Sequence, residues 1–512
     1  MKNRVHIFLA ALFIFAFILR VFYLPQGALT FGYDQARDAF RSQQILEGDI
    51  KILGPPASAP GLYHGVFYYY FLAPAYLIGN GDPIVAAYWV AFFNALAVFI
   101  IYFFTYSLTK KKLPSLIAAT VFAFSFEASQ YATWLSNPTL GVWTVPIIYL
   151  GLWLWVKPKE TYSKWGPALT AIGLGLSIQS EIFLAYHIVP VLIWLWVARE
   201  NIKRTQLAKS LAVLFAILSS MILVEFRFGF KSIEGISGLL GITSQDNILA
   251  SRDVGDFIVL YINQLGRTFA NNLFPLNAGY GGALGIGLLV FVINDRRKDK
   301  SKTVSWQLFL VTYLLAHLPT VSMGGVSTPF LTVGIGGAVC VLAGIVIWKL
   351  WESGLAKTLF VLILVANLIA IVTKNRNGQV IFAIQEDLLL SNEIQLVDYT
   401  YEKADGEPFS INSLTSPLWV NTVWSYLYNW YGEREYAYIP EWRGRDQVGR
   451  LGNNLLDAQE GTIKHFFIKE PPRGIPGRYL ESEQGAEDNR SVLLEEKSFG
   501  DLKVQYREIE EK

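Results

Sequence analysis

Long apolar runs separated by short polar segments set the rhythm of this 512-residue chain. Eleven of them, near 5–24, 83–108, 113–130, 138–156, 165–180, 182–198, 207–225, 281–294, 304–321, 330–349 and 356–373, approach or reach the roughly 18–20 residues that cross a bilayer as helix. No such run follows residue 375. The pattern predicts an α-helical polytopic membrane protein with about eleven transmembrane helices in residues 1–375, followed by a domain of residues 376–512 outside the membrane. In that last part, apolar-aromatic stretches such as "PLWVNTVWSYLYNWYG" and "HFFIKEPPRGIPGRYL" alternate with polar segments, which predicts a small mixed α/β fold.

Composition agrees, with 53% hydrophobic and only 16% charged residues. The net charge of +2 conceals two environments: +11 over residues 1–375 and −9 over residues 376–512. Lys2 and Arg4, "TKKK" at 109–112, "KPKE" at 157–160, "RENIKR" at 199–204, "NDRRKDKSK" at 294–302, and Lys349 with Lys357 all fall on one side if each run crosses once. The positive-inside rule makes that side the cytoplasm. Residues 25–80, about 226–280 and everything after 375 then lie outside. No clear A-x-A cleavage site follows the first run, so a retained helix is expected there.

The first external segment is too long for a simple connection. "YDQARDAFRSQQILEG" is rich in helix formers and ends in Gly48, and "GPPASAPG" breaks the chain before the aromatic "LYHGVFYYYFLAPAYL". Two helices lying along the membrane surface are expected, with Tyr and Phe at headgroup depth. Within the first, "LTFGYDQARDAF" places Asp34, Arg37, Asp38 and Arg41 within two turns. Asp34 and Asp38, four apart, share a face that the arginines adjoin. One carboxylate can then serve as a base while arginines hold it or an anionic ligand. The alternative is a helix N-cap at Asp34 followed by surface ion pairs.

The order of these features, a first helix ending in Arg20, an acidic motif opening the first external loop, and a proline-containing stretch leading into an aromatic helix, resembles the GT-C membrane glycosyltransferases, in particular the protein O-mannosyltransferases and lipid A aminoarabinose transferases. The resemblance in layout covers residues 1–375, with specific motifs mainly in the first 80. It implies a sugar donor on a polyprenyl phosphate, an acceptor on the external side and a catalytic acid at Asp34. Where such proteins carry a second acid beside the first, this chain has Gln35, leaving Asp38 as the only nearby second carboxylate. A divalent metal is therefore possible but not required by the sequence. Where a lysine near the donor phosphate is common, "YHGVFYYYF" supplies His64, able to donate a hydrogen bond or, when protonated, a charge.

Arg37, Asp38 and His64 are accordingly candidate substrate-binding residues. Arg227 and Lys231 in "LVEFRFGFKSIEGI" join them, four apart and on the same side as Asp34, although a snorkelling interfacial helix explains them equally. Glu181 in "SIQSEIFLAYHIV" is a candidate acceptor contact or a helix cap. Arg252 and Arg267 are further cations for a departing phosphate. His187 and His317 read as interhelical hydrogen-bonders, Cys340 as a packed small residue, and the aromatic group from Trp419 to Trp442 as a small core or a sugar-stacking surface.

No GxxxxGK[ST] phosphate loop and no Cys/His cluster is present, and the basic residues mark topology, so neither nucleic acid nor a multi-cysteine metal site is expected. The favoured expectation is an inverting transferase. The competing classes are a transporter or flippase, which would place ionisable groups at mid-membrane, and a ligase acting on lipid-linked glycans.

Overall fold

The computed structural model describes residues 2–57, 61–157, 162–232, 234–235, 254–298, 304–323 and 328–510. Helix α1 (Lys2–Val21) packs against α4 (Pro83–Thr109) and α5 (Lys112–Phe124). Between them in sequence lie α2 (Tyr33–Leu46) and α3 (Phe67–Ile78), which pack on each other. The stop of α2 just before Glu47 and Gly48 matches the expected boundary.

Helix α4 starts where the Asp82 carboxylate accepts from the Ile84 amide (2.7 Å), with Pro83 as first helical residue. Helix α5 does not continue through residue 130. Ser125 breaks it, accepts from the Ala128 amide (3.1 Å) and starts α6 (Phe126–Ala132). Helices α7 (Gly141–Val156) and α8 (Gly166–Ser180) approach closely because Gly151 and Gly173 face backbone across the contact. After α9 (Ile188–Val197) come α10 (Arg204–Ile217) and α11 (Ser219–Phe228), bent by 61° at their junction. The later helices are α12 (Val254–Leu273), α13 (Ala278–Lys298), α14 (Trp306–Leu314), α15 (Gly336–Lys349) and α16 (Gly354–Lys374). The stretch from Gly336 to Ile347 is buried throughout, Cys340 included, which places α15 at the centre of the bundle.

By length and composition, five segments among the described residues are long and apolar enough to cross a membrane: Arg4–Gln26, Pro83–Thr109, Asn137–Val156, Ala278–Lys298 and Gly354–Asn377. The bent pair makes a sixth if it is one span. Three of the other runs form shorter apolar helices, Lys112–Phe124, Ile182–Val197 and Gly336–Lys349. An apolar run alone does not separate a spanning helix from one broken by an internal cap.

Beyond α16, the chain forms a five-stranded sheet in the order β2-β1-β3-β5-β4, from β1 (Phe409–Leu414), β2 (Glu441–Trp442), β3 (Lys464–Lys469), β4 (Ser491–Phe499) and β5 (Leu502–Ile509). Strand β1 runs parallel to β2 and β3, and β5 pairs antiparallel with β3 and β4, so the sheet is mixed. The helices α17 (Leu390–Ala404), α18 (Thr422–Leu427), α19 (Glu433–Tyr436) and α20 (Gly477–Arg490) accompany it.

Trp424, Tyr426 and Tyr428 are buried in a hydrophobic cluster that runs without interruption from this sheet into α2, α3 and the start of α4. Tyr426 donates to the Gly81 carbonyl (2.6 Å), and its ring meets Phe31 and Phe40 with centroids 5.5 and 5.1 Å away. These aromatic side chains are core, joining the domain to the segment between α1 and α4.

Candidate active site

Asp34 sits in the first turn of α2, where the unpaired amides of the helix start favour a carboxylate. Gly32, not Asp34, occupies the N-cap position. Both carboxylate oxygens are held: Oδ1 accepts from Arg37 Nη1 (2.7 Å), and Oδ2 from Gln385 Nε2 (2.9 Å). The Asp34 side chain is still 35% exposed.

The predicted shared face of α2 is present, and Arg37 bridges it. Its Nε donates to Asp38 Oδ1 (2.8 Å) while Nη1 holds Asp34. Arg37 and Asp38 are buried. Burial pushes the Asp38 carboxyl up to about 7, the Arg37 charge opposing it. Asp38 Oδ2 has no hydrogen-bond partner. Arg41 points elsewhere, donating to Gln44 (3.0 Å).

Gln35, the departure from the resembled pattern, acquires a definite task. Its Oε1 accepts from the Gly32 amide (2.9 Å), and its Nε2 donates to Gln385 Oε1 (3.3 Å), which also accepts from Trp134 Nε1 (2.9 Å). Gln35 and Trp134 therefore orient the amide of Gln385, and that amide orients Asp34. Neither Gln385 nor Trp134 was legible as a site residue, since a neutral amide after the last apolar run and one tryptophan among fifteen carry no signal. Among the described residues, no group of three or more His, Cys, Asp or Glu side chains is arranged to hold a metal ion.

His64 reaches the same place on a tight loop. Its amide donates to the Pro55 carbonyl (2.9 Å), Pro56 and Tyr63 form a bridge, and Gly54 and Gly65 pack backbone against backbone with no room for a Cβ at Gly54. The His64 ring is buried, and its Nδ1 accepts from the Ile182 amide (3.1 Å), which assigns the proton to Nε2. Burial, reinforced by Arg37, pulls its pKa down to about 3. Of the two roles open to His64, a hydrogen bond or a charge, the desolvated ring favours the hydrogen bond. Glu181, buried 3.4 Å from His64 Nδ1, caps the following turn by accepting from the Phe183 amide (3.3 Å).

Asp34, Arg37, His64, Trp134 and Glu181 line one cavity of about 240 Å³. His64 also lines a second cavity of about 240 Å³, walled mainly by apolar side chains of α8 and of the bent α10–α11 pair, Ile178, Leu218, Met221 and Ile222 among them. The two cavities thus meet at one imidazole.

The other candidates are not brought to Asp34. Arg227 and Lys231 are exposed at and just beyond the end of α11, and neither lines the Asp34 cavity. Arg252 lies outside the described residues. Arg267 donates to Thr332 (2.9 Å) in the bundle, near Glu127 and Tyr131. His187 bonds Tyr149 (2.8 Å) between α7 and the turn before α9, and the buried His317 stacks on Tyr261. A Ser410–His465–Glu487 chain in the sheet domain has contacts of 2.9 and 3.0 Å, but all three side chains are fully buried and Ser410 also accepts from Arg443, so the set is structural.

No family model matches the chain, and no curated protein matches it in sequence. Among solved structures it is similar to ArnT from Cupriavidus metallidurans bound to undecaprenyl phosphate, with a TM-score of 0.63 at 11% identity over 99% of this chain and 98% of that one. The apo state of the same protein gives 0.51 over the same shares. The Archaeoglobus fulgidus oligosaccharyltransferase in its apo form gives 0.50 at 13% identity, over 83% of this chain and 63% of that one.

Proposed function

We propose that this chain, which has the fold of the GT-C membrane glycosyltransferases, transfers one sugar from a polyprenyl-phosphate carrier to a hydroxyl of an acceptor outside the membrane, with inversion at the anomeric carbon. The observation that carries the reading is the position of Asp34. Its carboxylate is fixed at both oxygens by Arg37 and Gln385, and it lines a cavity that shares the His64 wall with an apolar one beside α8 and the bent α10–α11 pair. The apolar chamber suits the phosphate-proximal isoprene units of the carrier, the rest of the tail lying in lipid, with the sugar-phosphate head directed toward the carboxylate.

In the transfer, Asp34 takes the proton of the acceptor hydroxyl as that oxygen bonds to the anomeric carbon. The bond from that carbon to the phosphate oxygen breaks, and the electron pair leaves with the polyprenyl phosphate. Arg37 and the Nε2–H of neutral His64 offset the charge that develops on the phosphate. Glu181, fixed by its cap on the Phe183 amide, lines the same cavity and is a contact for the acceptor. Arg227 and Lys231 serve the carrier or surrounding lipid headgroups at the rim. The basic segments between the apolar runs support an N-terminus in the cytoplasm, with Asp34 and residues 376–512 outside.

The test is incubation of purified protein with labelled polyprenyl-phosphate sugars and candidate acceptors, with mass spectrometry of the products. Asp34→Asn should abolish transfer while the protein stays folded and still binds the carrier. A fully active Asp34→Asn enzyme would remove the central claim.

A further inference from the structure

A third cavity, of about 570 Å³, adjoins both chambers of the site. It shares Tyr33, Arg37 and Pro56 with the Asp34 cavity, and Ile52 and Tyr63 with the apolar one. One wall is the first external segment; the other is the sheet domain, through Val420, Thr422 and Gly449–Leu451. Its size suits a small ligand or one end of a larger one.

The charge of this cavity is one-sided. Arg37, Arg41, Lys51 and Arg450 line it, and no Asp or Glu does. Arg37 is compensated by Asp34 and Asp38, and Lys51 pairs with Asp49. Arg41 and Arg450 have no carboxylate within ion-pair distance among the described residues; their hydrogen bonds go to Gln44 and to the Trp419 carbonyl. Arg450 comes from the part of the chain with net charge −9, so a basic wall here runs against its surroundings. Arg41 is half-buried and Arg450 exposed, and unneutralised cations around a concave space raise the local concentration of anions. Tyr33, Tyr63 and Tyr69 add ring faces and hydroxyls on which a sugar can rest.

Resting on the transfer reading above, we infer that this cavity is the acceptor's subsite and that it selects an acceptor bearing a phosphate or carboxylate close to the hydroxyl that receives the sugar. Arg41 and Arg450 bind the anionic group, and Arg37 and Tyr33 form the partition across which the hydroxyl reaches Asp34. The sheet domain thereby contributes directly to acceptor choice. The same chemistry can come from the carrier's own phosphate, and the experiment separates the two sources.

Full-length protein in phosphatidylcholine nanodiscs, which carry no net charge, is titrated with mannose 6-phosphate and with mannose, alone and after saturation with undecaprenyl phosphate. The phosphorylated sugar should bind at least about tenfold more tightly than the neutral one, with undecaprenyl phosphate changing this by less than about twofold. Arg41→Ala with Arg450→Ala should erase the preference with no change in Tm, and Arg450→Lys should keep most of it. Equal binding of the two sugars, a preference that survives the double variant, or displacement by undecaprenyl phosphate would each overturn the assignment, the last by giving the cavity to the donor. Binding is measured in Asp34→Asn as well. Charge-selective binding in a variant that still transferred sugar would remove the base assignment and leave the acceptor site standing.

Discussion

Replacing Gln385 by Met keeps the length of the side chain and removes its amide. Asp34 Oδ2 then loses the donor at 2.9 Å and keeps Arg37 on Oδ1 at 2.7 Å. A hydrogen bond to a charged group contributes about 1.5–3 kcal/mol. With the Asp34 side chain 35% exposed, water replaces part of it, so the expected loss is about 1–2 kcal/mol, or roughly 5–30-fold. The loss should fall on kcat/KM through kcat, because the direction of the carboxylate matters when the acceptor proton moves and not when the carrier tail binds. The same change leaves the buried Trp134 Nε1–H without its acceptor, which should lower Tm, since an unsatisfied buried donor costs about 1–3 kcal/mol.

Gln385→Glu separates catalytic positioning from bulk stability. A second carboxylate against Asp34 disfavours its ionised form and should shift the acidic limb of the pH–rate profile upward. Initial rates of transfer from a labelled polyprenyl-phosphate sugar, at varied carrier concentration and pH, read both effects. A Gln385→Met enzyme with kcat/KM within about twofold of wild type, together with an unmoved acidic limb in Gln385→Glu, would refute the orienting role even if both variants were less stable.

Asp38, which burial holds near 7, should give transfer a titration near neutrality through Arg37, and Asp38→Asn should abolish that inflection in the pH–rate profile. Because the folded value lies above the ordinary 3.8, the contribution of Asp38 to stability is full below that value and is lost as pH rises through about 7. The Tm of Asp38→Asn should therefore lack this fall. In the sheet domain, Glu487 behaves oppositely: burial raises it, but hydrogen bonds from His465 and Arg490 win and hold it down to about 2. Its contribution is present above the ordinary 4.5 and is lost as pH falls through about 2. Thermal scans of full-length Glu487→Gln against pH should show a flatter acid limb than wild type.

Local periodicity and end signals made α2 legible almost to the residue, because they depend on neighbours in sequence. The break at Ser125 was not legible: the hydroxyl that caps α6 sits inside an apolar stretch that reads as one helix, and Asn367 on α16 completes the junction by accepting from the Phe126 amide (2.9 Å). Such partners lie hundreds of residues apart. His64 was found by its neighbours in sequence, yet its charge state depends on burial and on the Ile182 amide, which only the fold supplies. The aromatic residues around Trp424 were legible as a group, and packing against Tyr401 and Phe409 of their own domain and, for Tyr426, against Phe40 of α2 made them core. Gln35 shows the limit most directly. Its identity revealed a missing acid, whereas its function depends on Gln385, 350 positions away.

That distance bears on what the last part of the chain does. The segment leading from α16 into the sheet domain is tied to the residues just before Asp34: the Gln379 amide donates to Thr30 Oγ1 (2.9 Å), the Phe31 amide donates to the Leu388 carbonyl (2.9 Å), and the Leu390 amide donates to the Leu29 carbonyl (2.9 Å). Gln385 lies between these ties and reaches Asp34 from them. The start of α2 is thus pinned at its approach by backbone bonds, on its carboxylate by an amide, and along its length by Tyr426. A chain ending at Lys374 would keep every apolar run and lose one of the two donors to Asp34 together with one wall of the basic cavity. The sheet domain is therefore part of the construction of the site, and Tyr426, buried against Phe40 of α2, is the side chain through which it grips that helix.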